Sequence, residues 1–194
     1  MNKNYFLLRP NPSQHNRMNE FLEESIIAVG WSDSGNLKQC NLKEKYDGMA
    51  HTNLNIFVNE MKEGDIVIIP NGDNIYFAQI TSDYFYNDNI PLEDDYRNQR
   101  KVKFLDVKQR KDMPMEMRSI LKTRHTSARL NKYSELIEKI LKNEEIEDNS
   151  NKFETITLPL RPGKESVTIT IPRDLTKQEA ERLSNIIKTL YFKD

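Results

Sequence analysis

Residues 64–104 read GDIVIIPNGDNIYFAQITSDYFYNDNIPLEDDYRNQRKVKF. Gly64-Asp65 is a turn signal, and Ile66 to Pro70 is a short, nearly unbroken apolar run that suits a strand buried on both faces. Asn71-Gly72-Asp73-Asn74 supplies residues that tolerate positive φ, as a tight hairpin turn requires. Ile75 to Tyr86 is rich in β-branched and aromatic residues and is expected to return as a strand. It ends in Tyr84, Phe85 and Tyr86. An acidic loop follows, Asp88 to Asp95, and then a basic strand, Arg97 to Phe104.

On the N-terminal side, Tyr5 to Arg9 predicts a first strand, stopped by Pro10 and Pro12. Met18, Phe21 and Leu22 predict a short helix over Asn16 to Glu24. Ile26 to Trp31, IIAVGW, predicts a second strand that runs into the polar turn Ser32-Asp33-Ser34-Gly35. Residues 36–53 carry only weak periodicity and are expected as loop or short helix. Leu54, Phe57, Val58 and Met61 share one helical face. On the C-terminal side, Pro114 opens a helix with Met117, Ile120 and Leu121, and Arg124-His125-Thr126-Ser127 interrupts it. Asn131 is a candidate N-cap for a second expected helix, with Tyr133, Leu136, Ile137, Ile140 and Leu141 in its stripe.

The acidic, aperiodic stretch at 146–152 reads as a linker. Beyond it lies a small unit. Phe153 to Leu160 alternates, Arg161 to Lys164 is a turn, and Val167, Ile169 and Ile171 alternate with Ser166, Thr168 and Thr170. Thr176 with Glu179 three residues on forms a capping box for a helix with Ala180, Leu183, Ile186, Ile187 and Leu190 in its stripe. Such a unit is too small to bury much alone, so residues 153–194 are expected to pack on the main domain, on a second copy of the chain or on a protein partner. The expected organisation is a main domain over 1–145, the linker, and this β-hairpin–helix appendage over 153–194.

From Arg97 to Lys132, twelve Lys and Arg stand against three Asp and Glu. The local balance is +9 in a chain of net charge −1, so the remainder sums to −10. Such asymmetry suits a side that faces a polyanion, or else a merely solvated surface. The single cysteine, Cys40, excludes a disulfide framework and suits the reducing cytoplasm. No segment has the length of a transmembrane span, and the N-terminal apolar run of four residues is too short for a secretion signal, so a soluble cytoplasmic protein without membrane association is expected.

No phosphate-cradling glycine loop, no HExxH and no paired cysteines at metal spacing occur. Histidines 15, 51 and 125 are far apart. Glu93-Asp94-Asp95 lacks the further acid and lysine of a nuclease core and reads as an exposed acidic loop. The expectation is a protein that is not an enzyme and takes neither cofactor nor metal. What remains is aromatics interleaved with a basic strip, the chemistry of nucleic-acid binding. Cations neutralise phosphates, and aromatic faces stack on bases at roughly 1–3 kcal/mol each. The candidate cage is Trp31 with Tyr84 and Tyr86, and Ser32 or Asp33 reads the base edge. Arg97, Arg100, Lys101 and Lys103 grip the backbone with Arg124 and Arg129. Core packing is the competing reading for each of these aromatics.

Residues 5–112 resemble the EVE-like branch of the PUA superfamily, which also includes ASCH and YTH domains. The matching stretches, in order, are YFLLRP, IIAVGW, the helix before GDIVIIP, IYFAQITSDYFY and RKVKFLD. The resemblance implies an α+β fold, a PUA-like mixed β-barrel with flanking helices, and a pocket for a single, often modified, base. Relatives of that branch are commonly fused to restriction enzymes that cut modified DNA. The resemblance therefore implies a reader acting alone, on DNA in preference to RNA, in bacterial or phage defence. The acidic loop is longer than that pattern leads one to expect beside a phosphate-binding strand. The tail resembles a strand-strand-helix appendage of bacterial and phage proteins. Two further classes stay open: a protein-interaction or inhibitor protein that uses the barrel as a scaffold, and a binder of a free nucleotide.

Overall fold

The computed structural model describes residues 3–12, 15–144, 146, 153–159 and 166–189. It divides into two compact units, Met1–Ile146 and Glu147–Asp194. The first is a mixed α+β unit. Its strands are β1 (Tyr5–Leu8), β2 (Ile26–Val29), β3 (Ile66–Asn71), β4 (Asn74–Ile80), β5 (Phe85–Tyr86), β6 (Asn98–Gln109) and β7 (Ser127–Arg129). They form one sheet in the order β2-β6-β4-β3-β1-β7, with β5 added on β6, and the sheet curls into a half-barrel. Only β1 and β3 pair in parallel, Phe6 opposite Val67; the other pairs are antiparallel.

The unbroken apolar runs are explained by burial on both faces. Phe6, Leu8, Val67 and Ile69 join Ala78, Ile80 and Val102 in one core cluster. That cluster is covered by α3 (Gly48–Asn55) and the π-helical turn Ile56–Glu60, through Leu54, Phe57 and Val58. Their neighbours Tyr5, Leu7, Ile66 and Ile68 face the other way with Ile75 and Phe77. There they meet Met117 and Leu121 around α4 (Met115–Ile120) and Ile137 and Ile140 of α5 (Ser134–Leu141). The remaining helices of the unit are α1 (Met18–Glu24), which packs on β2, and the one-turn α2 (Leu42–Lys45).

Four elements differ from the expectation. Asn131 does not cap α5, which starts at Ser134 without a side-chain cap; its Oδ1 accepts from Tyr5 N–H at 2.7 Å. The long strand Ile75–Tyr86 is two strands, because the chain leaves β4 after Ile80 and only Phe85–Tyr86 rejoin the sheet, against Gln99 and Asn98. The basic strand runs on to Gln109, and the register shifts opposite Phe77 and Ala78, which leaves Leu105 outside the pairing. The interruption at Arg124–Ser127 leads into β7, a three-residue edge strand on β1.

In the second unit β8 (Phe153–Pro159) pairs with β9 (Ser166–Pro172), Ile156 opposite Ile169, and α6 spans Lys177–Thr189. The capping box forms: Glu179 N–H donates to Thr176 Oγ1, and Thr176 N–H donates to the Glu179 carboxylate at 2.9 Å. Among the described residues of this unit none is buried. The expected linker from residue 147 onward, Leu160, the turn Arg161–Lys164 and Leu190 lie outside the described residues.

Candidate functional site

A pocket of about 530 Å³ opens where the ends of the two edge strands come together. Gly30, Trp31 and Asp33 follow β2, and Thr126 precedes β7. Asn11 and Pro12 follow β1, and Leu92 and Asp95 come from the acidic loop. The size suits a small organic ligand.

Trp31 is the strained member. Its φ of 67° and ψ of 31° put a bulky residue in the left-handed region, which L side chains other than Asn and Asp seldom adopt. The surrounding bonds hold it there. Ser34 N–H donates to Trp31 O at 3.0 Å. Ser32 N–H donates to Asp95 Oδ1 at 2.5 Å, and Ser32 Oγ accepts from Arg97 N–H at 3.3 Å. Asp95 is itself left-handed, φ 50°. Buried Asn98 ties the turn to the core: its Nδ2 donates to Gly30 O at 3.2 Å, and its Oδ1 accepts from Tyr84 Oη at 2.5 Å. Trp31 stays half-buried, packed against the first core cluster and lining the pocket.

The residues predicted for the cage separate. Trp31 and Asp33 line the pocket. Ser32 is 1% exposed and spends its hydroxyl and N–H on the turn, so it is not free to read a base edge. Tyr84 belongs to the core: it stacks edge-on to Phe57 at 6.4 Å, and its hydroxyl accepts from Leu37 N–H at 3.0 Å. With β5 only two residues long, Tyr84 and Tyr86 do not share a strand face. Tyr86 instead packs under the Arg97 guanidinium, 5.9 Å from the ring centroid.

The predicted phosphate grip also divides. Arg100 is 2% exposed. It donates to Phe57 O at 2.9 Å, Val58 O at 3.1 Å and Ser82 O at 3.3 Å. The first two are carbonyls of the π-turn. Lys62 N–H, which lies five residues beyond Phe57, goes to Asp65 Oδ2 instead, so Arg100 caps the helix end. Burial lowers its pKa to about 10, and it stays charged at neutral pH. Arg97 donates to Ile90 O at 2.6 Å and ties down the acidic loop. Arg129 is paired with Glu60. Lys101, Lys103 and Arg124 are exposed. Lys103 lies five residues along β6 from Asn98, about 17 Å of strand, so the strip runs away from the pocket. Arg124 lies two residues from Thr126 of the pocket, as Arg97 lies two from Asp95.

Arg17 and the loop residues escape a sequence reading because no local pattern marks them. Arg17 donates to the Asp94 carboxylate at 2.9 Å and to Glu20 at 2.8 Å, with its guanidinium 5.1 Å from the Tyr96 ring centroid. The Glu20 hydrogen bond is the main influence that raises its pKa. The acidic loop is therefore a built wall of the pocket. Among the described residues, no group of three His, Cys, Asp or Glu is placed to hold a metal ion, and no helix is long and apolar enough to cross a membrane.

Burial also raises the Tyr84 hydroxyl from its ordinary 10 to about 12. The folded state then holds that proton where the unfolded chain has lost it. This stabilisation is complete below pH 10 and disappears as the pH rises from 10 towards 12, at about 1.4 kcal/mol per unit of separation. Urea midpoints across that range should fall less steeply in Tyr84→Phe than in the natural chain; an identical slope would contradict the burial argument.

Residues 7–131 match a family described as Domain of unknown function (DUF8426). The chain belongs to that family. The match takes in every residue that lines the pocket and stops before α5 and the second unit. No curated protein matches the chain. The DUF8426 segment thus carries all of the half-barrel but the start of β1, with the left-handed Trp31 and the acidic wall.

Proposed function

We propose that the DUF8426 segment is a non-enzymatic reader that takes one base of a nucleic acid into the pocket beside Trp31. The observation that carries this is the left-handed Trp31: a conformation that costs of order 1 kcal/mol or more is held by four neighbouring bonds, and it sets Trp31 at the wall of a cavity roomy enough for a base. An indole face stacks on any base, and extruding a single base is the general way to examine it outside the helix. The order of strands that resembles an EVE-like PUA domain supports the same reading, and extends it to a modified base in DNA and a setting in bacterial or phage defence. Lys101, Lys103 and Arg124 supply the exposed cations for the backbone.

A second reading has one observation in its favour. Asp33, Glu93, Asp94 and Asp95 gather at the pocket or on its acidic wall, which repels a polyphosphate and favours a free nucleoside. The deciding experiment titrates the full chain with a short duplex carrying one unpaired base, and with the same duplex abasic at that position. Tighter binding of the base-bearing duplex is expected. Equal binding of both would remove the reader, and a response to nucleosides alone would select the second reading.

A further inference from the structure

We propose that the pocket selects a base bearing an exocyclic amino group, of the cytosine, adenine or guanine type, over thymine or uracil, and that Asp33 makes the selection. This rests on the base-pocket reading above.

Asp33 lines the pocket two residues from Trp31 and is exposed. Among the described residues its carboxylate makes no hydrogen bond and no ion pair, which leaves its acceptor sites to a ligand in the pocket. A carboxylate offers acceptors and no donor. Asp95 adds a second carboxylate to the wall, one oxygen of which holds Ser32 N–H. Among the described residues no Lys or Arg lines the pocket, and its neutral side-chain donors include Asn11 and Thr126. The two carboxylates make their side of the wall electronegative, and at Asp33 the pocket asks its ligand for N–H groups.

The bases differ in how they can answer. An exocyclic amine carries two N–H bonds that point apart, so a carboxylate can take one without facing an acceptor of the base. Thymine and uracil carry their only Watson–Crick-edge N–H between two carbonyl oxygens, and those oxygens face the carboxylate. An asparagine at position 33 changes the terms, because its amide both donates and accepts and so matches an N–H beside a carbonyl.

The test uses the full chain, the natural form and Asp33→Asn. Cytidine and uridine are titrated first, then cytosine and uracil placed unpaired in one short duplex opposite an abasic position. The two formats separate a free ligand from a polymer. Cytosine should bind about tenfold tighter than uracil in whichever format binds. Asp33→Asn should bring that ratio to about one or below it, with an unchanged thermal midpoint because the side chain is exposed. Equal binding of both bases by the natural chain, or a ratio untouched by Asp33→Asn, overturns the selection and leaves the base pocket standing. No response to any base in either format overturns both.

Discussion

An Arg100→Ala variant is expected to unfold about 3 kcal/mol more easily than the natural chain. The side chain is the largest fully buried one in the molecule's described part, and it satisfies three carbonyls with no carboxylate hydrogen-bonded to it. Removing it strands Phe57 O and Val58 O at a buried helix end and leaves a cavity beside the Phe57 ring, which lies 5.8 Å from the guanidinium. Arg100→Lys should recover only part of the loss, since an ammonium cannot fork across two carbonyls. Denaturant midpoints measure this directly. An unchanged midpoint combined with weaker, less salt-dependent binding of nucleic acid would return Arg100 to the phosphate role that its place in a basic run suggests.

Trp31→Gly should do the opposite: little to stability and much to binding. Glycine accepts φ 67° without strain, and that relief offsets the lost burial of a half-exposed ring. The thermal midpoint should move by no more than the equivalent of about 1 kcal/mol. Affinity for a base-bearing duplex should fall roughly thirtyfold, the loss of about 2 kcal/mol of stacking. Trp31→Phe keeps a ring and should retain part of the affinity. A folded Trp31→Gly chain that binds as well as the natural one would make the indole a packing residue only.

Much of the half-barrel is legible because its signals are local. Ile66 to Ile69 has no polar alternation because both faces are covered, and Asn71 to Asn74 turns the chain where residues that tolerate positive φ stand. What fails depends on partners distant in sequence. Nothing around Arg100 announces the uncapped carbonyls of Phe57 and Val58, more than forty residues earlier. Tyr84 and Tyr86 have the spacing of a shared strand face, yet the chain leaves the sheet after Ile80 and Tyr84 turns inward to Asn98. Trp31 ends a β-branched run and suggests an extended residue; only the bonds from Ser32 and Arg97 reveal why it turns left-handed. The acidic loop reads as solvated because its anchors, Arg17 and Arg97, resemble surface charge until their partners are seen.

Trp31 is the only tryptophan in the chain, so its emission reports on the pocket without a label. The most direct measurement follows that emission while the base-bearing duplex, and then its abasic twin, is added to the full chain. Saturable quenching by the first and none by the second, at the concentrations where binding occurs, is the predicted result. Binding of both duplexes with the indole emission unmoved would contradict a base held at Trp31.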